Sequence, residues 1–391
     1  MIRINKLKID QIGPIKELDL KFNSSFNIIC GQNGIGKTTI LDCLAQSFAG
    51  SKSTLKKRAG SDKSNWDLEV SINSEKTKKN FDVLHFHPNE TSRNYNGFYE
   101  ISNEVIVFKT HRDIPYKKLD SLNTDKQKSI TQFHQETIGG SLSDDLKNWF
   151  VNRFLFSAQK DTLDAGQLKN YDLAKKCFSI VNPEIEFSKV LPNSFDILVK
   201  TNAGEIYFEY LSSGYKSCLA VLLGVIMEIE LRFKNPSIFI KDFEGIIIID
   251  EIDLHLHPEW QANIYQSLKE ILPKAQIFTT THSPHIIQVA DPDEVIALTL
   301  DKNNDVKLNK IVNTEYGCQG WTVEEILDDV MGMKVTRTAI YLNSIKNFNT
   351  ALDNENFKEA KNEFEIIDSM LHPENSLRKI LKIQLTGFEN D

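Results

Sequence analysis

Residues 31–40 read GQNGIGKTTI and follow the apolar run FNIIC. The spacing is G-x-x-x-x-G-K-[ST], with Gly31, Gly36, Lys37 and Thr38 in the defining places. Glycines let the backbone curl until several N–H groups converge on one anion. Lys37 then reaches the β- and γ-phosphates of a nucleotide, and Thr38 offers its hydroxyl to Mg²⁺. The flanks suit that reading. SFNIIC predicts a buried strand, and TTILDCLAQSFAG predicts a helix that begins at the loop and ends at Gly50. A helix N-terminus adds its own attraction for phosphate.

Three further motifs follow in order. GIIIIDE is a continuous apolar strand, of the kind a parallel sheet covers on both faces, and it ends in Asp250 and Glu251. A carboxylate at the tip of a buried strand can hold a phosphate-bridging metal, and the next one can take a proton from an attacking water. A plain acidic turn is the alternative for the pair taken alone. LSSGYK, with Ser212, Ser213 and Gly214, opens a long apolar helix at 215–233. It is either an anion site or a simple N-cap. FTTTHSP delivers His282 at a strand end, where the imidazole can contact a γ-phosphate.

Elsewhere the chain is ordinary for a globular protein. Its 391 residues are 40% hydrophobic and 26% charged, enough for one large or two modest domains. A net charge of −8 confines any nucleic-acid contact to a local basic patch. The five cysteines form no C-x-x-C pair. The N-terminus alternates like a strand, and no apolar run approaches the roughly 18 residues of a membrane span, so a soluble cytoplasmic protein without a membrane partner is expected. Residues 1–30 predict a hairpin through Gly13–Pro14 into the phosphate-loop strand. DLEVSI, EVIVFKT, and FDILVKTNAGEIYFEYL predict strands, the last as a pair around Asn202–Gly204. SLSDDLKNWFVNRFLFSAQ predicts a helix behind a Ser-x-x-Asp start. LAKKCFSIV, PEWQANIYQSLKEIL and the charged tail beyond 320 predict helices.

The order of phosphate loop, insert, LSSGYK, IIIIDE and TTTH resembles the ABC-type ATPases, and among them the RecF, SMC, Rad50 and OLD group. The resemblance covers roughly residues 1–300. It implies an α/β fold: an ABC-type P-loop ATPase head with a mixed or parallel core sheet, an antiparallel β-subdomain and helical insertions, followed by a helical C-terminal region. The implied domains are 1–310 for the ATPase, with insertions across 51–210, and 311–391 for the helical region. The cofactors implied are ATP and Mg²⁺. Asn33, Gly34, Gly36, Lys37, Thr38 and Thr39 match the nucleotide-binding loop. Thr38 and Asp250 match the metal-holding pair, Glu251 the catalytic glutamate and His282 the switch histidine. Ser212, Ser213 and Gly214 match the signature that completes the site of an opposite subunit, which implies a homodimer or a higher multiple. Tyr215 departs from the transporter signature, which has a second glycine there. For the Q-loop, Arg112 lies where OLD-like ATPases carry a strand-end arginine, and Gln159 is a weaker candidate.

Several absences narrow the group. Residues 51–210 lack heptads, so there is no long coiled coil. After TTTHSPHII the chain continues QVADPDEVIALTLDKNNDVKL, which does not read as the acid cluster of an OLD-type nuclease domain. The tail is similar to tails of stand-alone ATPases in bacterial anti-phage systems, Septu and retron-associated ATPases being the nearest. These act with a separate nuclease, often of the HNH type. The resemblance therefore implies an ATPase subunit of a defence complex, which uses ATP-dependent dimerisation to control a partner nuclease. A RecF-like repair or chromosome-maintenance ATPase, and a nucleotide-dependent scaffold with negligible turnover, are the alternatives.

Other residues invite a role. His255 and His257 have an i, i+2 spacing a metal could use, but no further ligand cluster accompanies them, and OLD-like proteins carry a similar LHP. His85 and His87 are a weaker instance. Lys52, Lys56, Lys57 and Arg58, then Lys76, Lys78 and Lys79, form a basic cluster just after the phosphate-loop helix. Either they are solvated loop or they contact a nucleic-acid backbone.

Overall fold

The structure is a computed structural model, and it describes every residue except 51, 113, 126, 142–144, 235–236, 334–336 and 388–391. The chain divides into two compact units, Met1–Gly332 and Met333–Asp391.

At the centre of the first unit is a six-stranded sheet. Its order is Val306–Leu308, Val295–Leu300, Phe26–Gly31, Gln276–Thr280, Ile246–Ile249 and Val105–Phe108. All neighbours are parallel except the edge strand Val306–Leu308. The strands FNIICG, QIFTT, IIII and VIVF are buried along their whole length, which explains why their sequences are continuous rather than alternating. Because these four strands are parallel neighbours, their C-terminal ends all emerge along one edge of the sheet. That edge is where ligands bind in open α/β sheets.

One face of the sheet is covered by the helix Lys37–Gln46 and a four-stranded antiparallel sheet, Ile15–Lys21, Ile2–Ile12, Asn65–Ile72 and Glu75–Asp82. The first two strands form the expected hairpin. Ile40, Leu41 and Leu44 of the helix pack with Leu7, Ile9 and Trp66 in that layer. The helix stops before the expected Gly50, with Ser47 as its C-cap residue. Ser47 is instead used in the core: its hydroxyl donates to the Cys43 carbonyl at 2.7 Å and accepts the Trp66 indole N–H at 2.8 Å.

The other face carries the helices Leu146–Ser157, Ala165–Ile180 and Ser213–Arg232, with a small sheet of Glu186–Val190, Ile197–Thr201 and Gly204–Tyr207. The Ser-x-x-Asp start expected for the first of these helices falls partly on 142–144, outside the described residues. The long helix begins at Ser213 rather than 215 and buries three charged side chains, Glu228, Glu230 and Arg232. Buried charges need partners. Glu230 receives Trp149 at 2.9 Å and Arg153 at 2.7 Å, while Glu228 receives Lys128 at 2.6 Å and Arg232 at 3.1 Å.

The first unit continues past the expected boundary at 310, because Val312, Cys318, Ile326 and Val330 pack against Cys30, Ile287 and Ala297 of the sheet layer. The second unit contains the helices Ala339–Asp353, Phe357–Met370 and Ser376–Gly387, closed around Phe348, Ala360, Ile367 and Leu381. No helix among the described residues is long and apolar enough to cross a membrane.

Candidate nucleotide-binding site

The phosphate-loop sequence connects Phe26–Gly31 to the helix that starts at Lys37. Gly36 is the N-cap residue at φ 107°, a left-handed conformation that disfavours any side chain. A Cβ there would also crowd Pro14 and Ile15 at the hairpin tip. No side chain caps this helix and its first turn holds no acid, so its leading N–H groups are left for an anion. Asn33 and Gly34 are exposed at the loop tip, and Thr38 is exposed at the helix start. Thr39 is half-buried against Gly13. Lys37 is buried and donates from Nζ to the carbonyls of Gly31 at 2.9 Å and Gln32 at 3.0 Å. Burial lowers its pKa, while Cys30, Glu251, Asp250 and Asp253 work in the opposite direction.

The strand Ile246–Ile249 delivers Asp250 and Glu251 to the same edge. Thr38 Oγ1 donates to the Asp250 carboxylate, at 3.3 Å from Oδ1 and 3.2 Å from Oδ2. Asp250 also accepts the Thr280 hydroxyl at 2.6 Å. That same Thr280 oxygen accepts the Glu251 N–H at 2.7 Å, so one side chain holds both acids in place. Glu251 sits at φ 49°, and Arg112 Nη2 donates to its carbonyl at 2.5 Å. Asp253 accepts the Thr281 hydroxyl at 2.7 Å and the His282 N–H at 3.2 Å, which ties the FTTTH strand end to the acid turn. The His282 side chain is exposed.

The structure therefore brings together Lys37, Thr38, Asp250, Glu251 and His282, from three neighbouring strand ends. It adds Thr280, Thr281 and Asp253, which the sequence reading passed over. Their one sequence signal is the run of three threonines at a strand end, next in order to the acid pair. Of the two Q-loop candidates, Arg112 is buried against Glu251, whereas Gln159 is exposed just beyond Leu146–Ser157.

LSSGYK forms the start of Ser213–Arg232, with the Ser212 hydroxyl accepting the Tyr215 N–H as N-cap at 3.3 Å. Ser212 and Ser213 are exposed and Gly214 is buried. A Cβ on Gly214 would collide with the His255 carbonyl, so the loop LHLHP and the helix start approach as closely as glycine permits. These residues line a cleft of about 600 Å³ with Leu256, Pro258 and Trp260. Tyr215 is a core residue: its hydroxyl donates to the Phe178 carbonyl and its ring meets Trp260 edge-on at 5.5 Å. The departure from a second glycine therefore serves packing.

Among the described residues no group of three or more His, Cys, Asp or Glu side chains is arranged to hold a metal. His255 and His257 are exposed, and His257 faces Glu259. The hard oxygen pair of Thr38 and Asp250 does suit Mg²⁺, which takes few protein ligands and fills its remaining positions with water and phosphate oxygens.

Lys56, Lys57 and Arg58, after the phosphate-loop helix, are half-buried and each bonds to the protein. Arg58 donates to the Pro14 carbonyl and pairs with Asp305 at 3.4 Å. Lys56 donates to the Glu90 carbonyl and Lys57 to that of Asp62 at 3.5 Å. Lys76 and Lys78 lie across the sheet from Glu69 and Asp67.

The chain carries an AAA domain, whose family profile matches residues 6–213. The chain is 46% identical over 391 residues to the Septu protein PtuA of Bacillus thuringiensis, covering 99% of both chains, and it belongs to that family. It is also similar, at 28% identity over 207 residues, to a probable ATPase of retron Vc95 from Vibrio cholerae, with 52% of this chain and 38% of that protein covered. Among solved structures, an SMC head domain from Pyrococcus furiosus, bound to the C-terminal domain of ScpA, is 15% identical and has a TM-score of 0.47, with 79% of this chain and 96% of that chain covered.

Proposed function

We propose that this protein binds ATP with Mg²⁺, hydrolyses it to ADP and phosphate, and uses the cycle to control a partner nuclease in an anti-phage defence complex. The observation that carries the catalytic part is the contact between Thr38 and Asp250, with Lys37 behind one and Glu251 beside the other. It supports the pairing of a phosphate loop with an acid strand tip.

In this reading Lys37 and the uncapped helix N–H groups bind the phosphates, with Asn33, Gly34 and Gly36 shaping the loop and Thr39 behind it. Thr38 and Asp250 would hold Mg²⁺, which would supply charge neutralisation at the phosphate oxygens. Glu251 takes the proton of the attacking water. His282, exposed at the neighbouring strand end, faces the γ-phosphate. The exposed hydroxyls of Ser212 and Ser213, with Gly214, complete the site of a second subunit. Each chain has one phosphate loop and one signature, so two copies related by a two-fold axis make two complete sites. The family membership and the retron relative support the defence role, and the resemblance to ATPases that act with a separate HNH-type nuclease supports the partner.

Turnover measurements test the catalytic part. Lys37→Ala should abolish ATP binding, and Glu251→Gln should keep binding while hydrolysis stops. Hydrolysis at the wild-type rate in Glu251→Gln would remove Glu251 from this role. Co-purification with the products of neighbouring genes tests the partner: recovery of the ATPase alone, with and without ATP, would count against it.

A further inference from the structure

Arg112 follows the strand Val105–Phe108, one of the two neighbours of the acid strand Ile246–Ile249 in the sheet. Its side chain is 5% exposed. Through Nη2 it donates to the Glu251 carbonyl at 2.5 Å. The other neighbouring strand, Gln276–Thr280, contributes Thr280, which accepts the Glu251 N–H at 2.7 Å. Glu251 is thus gripped on its N–H from one side and on its carbonyl from the other.

Glu251 needs such a grip. At φ 49° it occupies the left-handed region, which a residue with a Cβ adopts only when its surroundings hold it there. A glutamate released from this turn would relax toward ordinary backbone angles and carry its carboxylate away.

Arg112 is also a costly choice for a strut. Its Nε and Nη1 are buried without a hydrogen-bond partner among the described residues. Burial lowers its pKa, while Cys218, Asp250, Asp253 and Glu251 favour the charged form. Unpaired buried donors are rare and call for an explanation. What the buried guanidinium does hold is the backbone carbonyl of Glu251.

We propose that Arg112 is a positioning residue for hydrolysis, whose guanidinium holds Glu251 in the left-handed turn from which its carboxylate acts as the base. The inference rests on the ATPase reading above and adds a residue to it.

The test compares wild type, Arg112→Ala, Arg112→Lys and Glu251→Gln for ATP turnover and for affinity toward a fluorescent ATP analogue. In Arg112→Ala, kcat should fall about tenfold or more, the effect of ~1.4 kcal/mol on the barrier. Affinity and KM should change by less than about threefold, because the bond is to the glutamate and not to the nucleotide. Millimolar guanidinium should restore part of the rate in Arg112→Ala and none in Glu251→Gln. Arg112→Lys, which keeps one cationic donor, should lie between wild type and Arg112→Ala. An unchanged kcat, a loss of affinity matching the loss of rate, or no guanidinium rescue in a variant that melts like wild type would each overturn the inference. Should Arg112→Ala fail to fold, Arg112→Lys decides, and wild-type kcat in it would overturn the clamp. If wild type itself binds the analogue and does not turn ATP over, the ATPase reading falls first and the inference falls with it.

Discussion

The hydroxyl of Thr280 donates to the Asp250 carboxylate at 2.6 Å. The same oxygen accepts the N–H of the next residue, Glu251, at 2.7 Å. Asp250 is buried and Glu251 half-buried, so removing the hydroxyl leaves an acceptor and a donor short at once. Thr280→Val, which keeps the shape, should lower stability by about 1–3 kcal/mol and turnover by about tenfold or more. Thr280→Ser should retain most of both. Urea unfolding and steady-state ATPase assays check this, and a fully active, fully stable Thr280→Val would contradict it.

Gly214 gives a steric prediction. Its Cβ position is already occupied by the His255 carbonyl, a backbone atom that cannot rotate away. Gly214→Ala should therefore cost about 1–3 kcal/mol, as overpacking does. It should also displace the LHLHP loop next to the proposed signature face. Thermal melting and hydrogen exchange of residues 253–258 read the two effects. Wild-type stability with unchanged exchange would show that the loop has room.

The shared-site mechanism predicts a change in mass. Glu251→Gln with ATP and Mg²⁺ should run as a dimer or a multiple of one. Ser213 is exposed, so Ser213→Arg is expected to be tolerated by the fold while it obstructs the facing subunit. In the double variant, nucleotide-dependent association should be lost and nucleotide binding kept, because Lys37 and Thr38 belong to the other half of the site. Light scattering with and without ATP decides it. A Glu251→Gln protein that stays monomeric at saturating ATP would refute the mechanism.

The buried cluster of Lys147, Asp196 and Glu209 gives a pH prediction. Lys147 Nζ donates to Asp196 at 2.5 Å and Glu209 at 3.1 Å. Burial is the largest single influence and would raise the Asp196 pKa, but the hydrogen bonds from Lys147 and Ser194 and the charge of Lys147 together outweigh it and hold the carboxyl below its ordinary value. Burial likewise opposes the charge on Lys147, and its bonds to Asp196 and Glu209, together with their charges, raise its pKa on balance. A depressed carboxyl contributes stability above its ordinary pKa of about 4 and loses it as pH falls through the depressed value. A raised lysine contributes below its ordinary pKa of about 10.4 and loses it as pH rises through the raised value. The cluster should therefore stabilise the fold across the range between those limits. Lys147→Met should destabilise by about 3–5 kcal/mol at pH 7, the scale for orphaning a buried charge, and by less near pH 3. Chemical unfolding at both pH values measures the difference, and an equal loss at each would contradict the assignment.

The sequence by itself determined the phosphate loop, the acid strand tip, the capped helix start at LSSGYK and the family, because each is a local pattern. A Gly-x-x-x-x-Gly-Lys-Thr run constrains its own backbone, and IIII followed by two acids can hardly be anything but a buried strand with a charged end. It also allowed the alternation of the first hairpin to be read. The tertiary structure decided what depends on distant partners. Nothing in VFKTHRD says that Arg112 reaches the Glu251 carbonyl, nor does TTT say which threonine holds the acids, since sheet order alone makes those strands neighbours. Arg58 reads as an exposed cation until Asp305, far along the chain, meets it. The long helix reads as simply apolar until Arg153, Lys128 and Arg232 supply its glutamates with counter-charges, which is the condition for burying them at all.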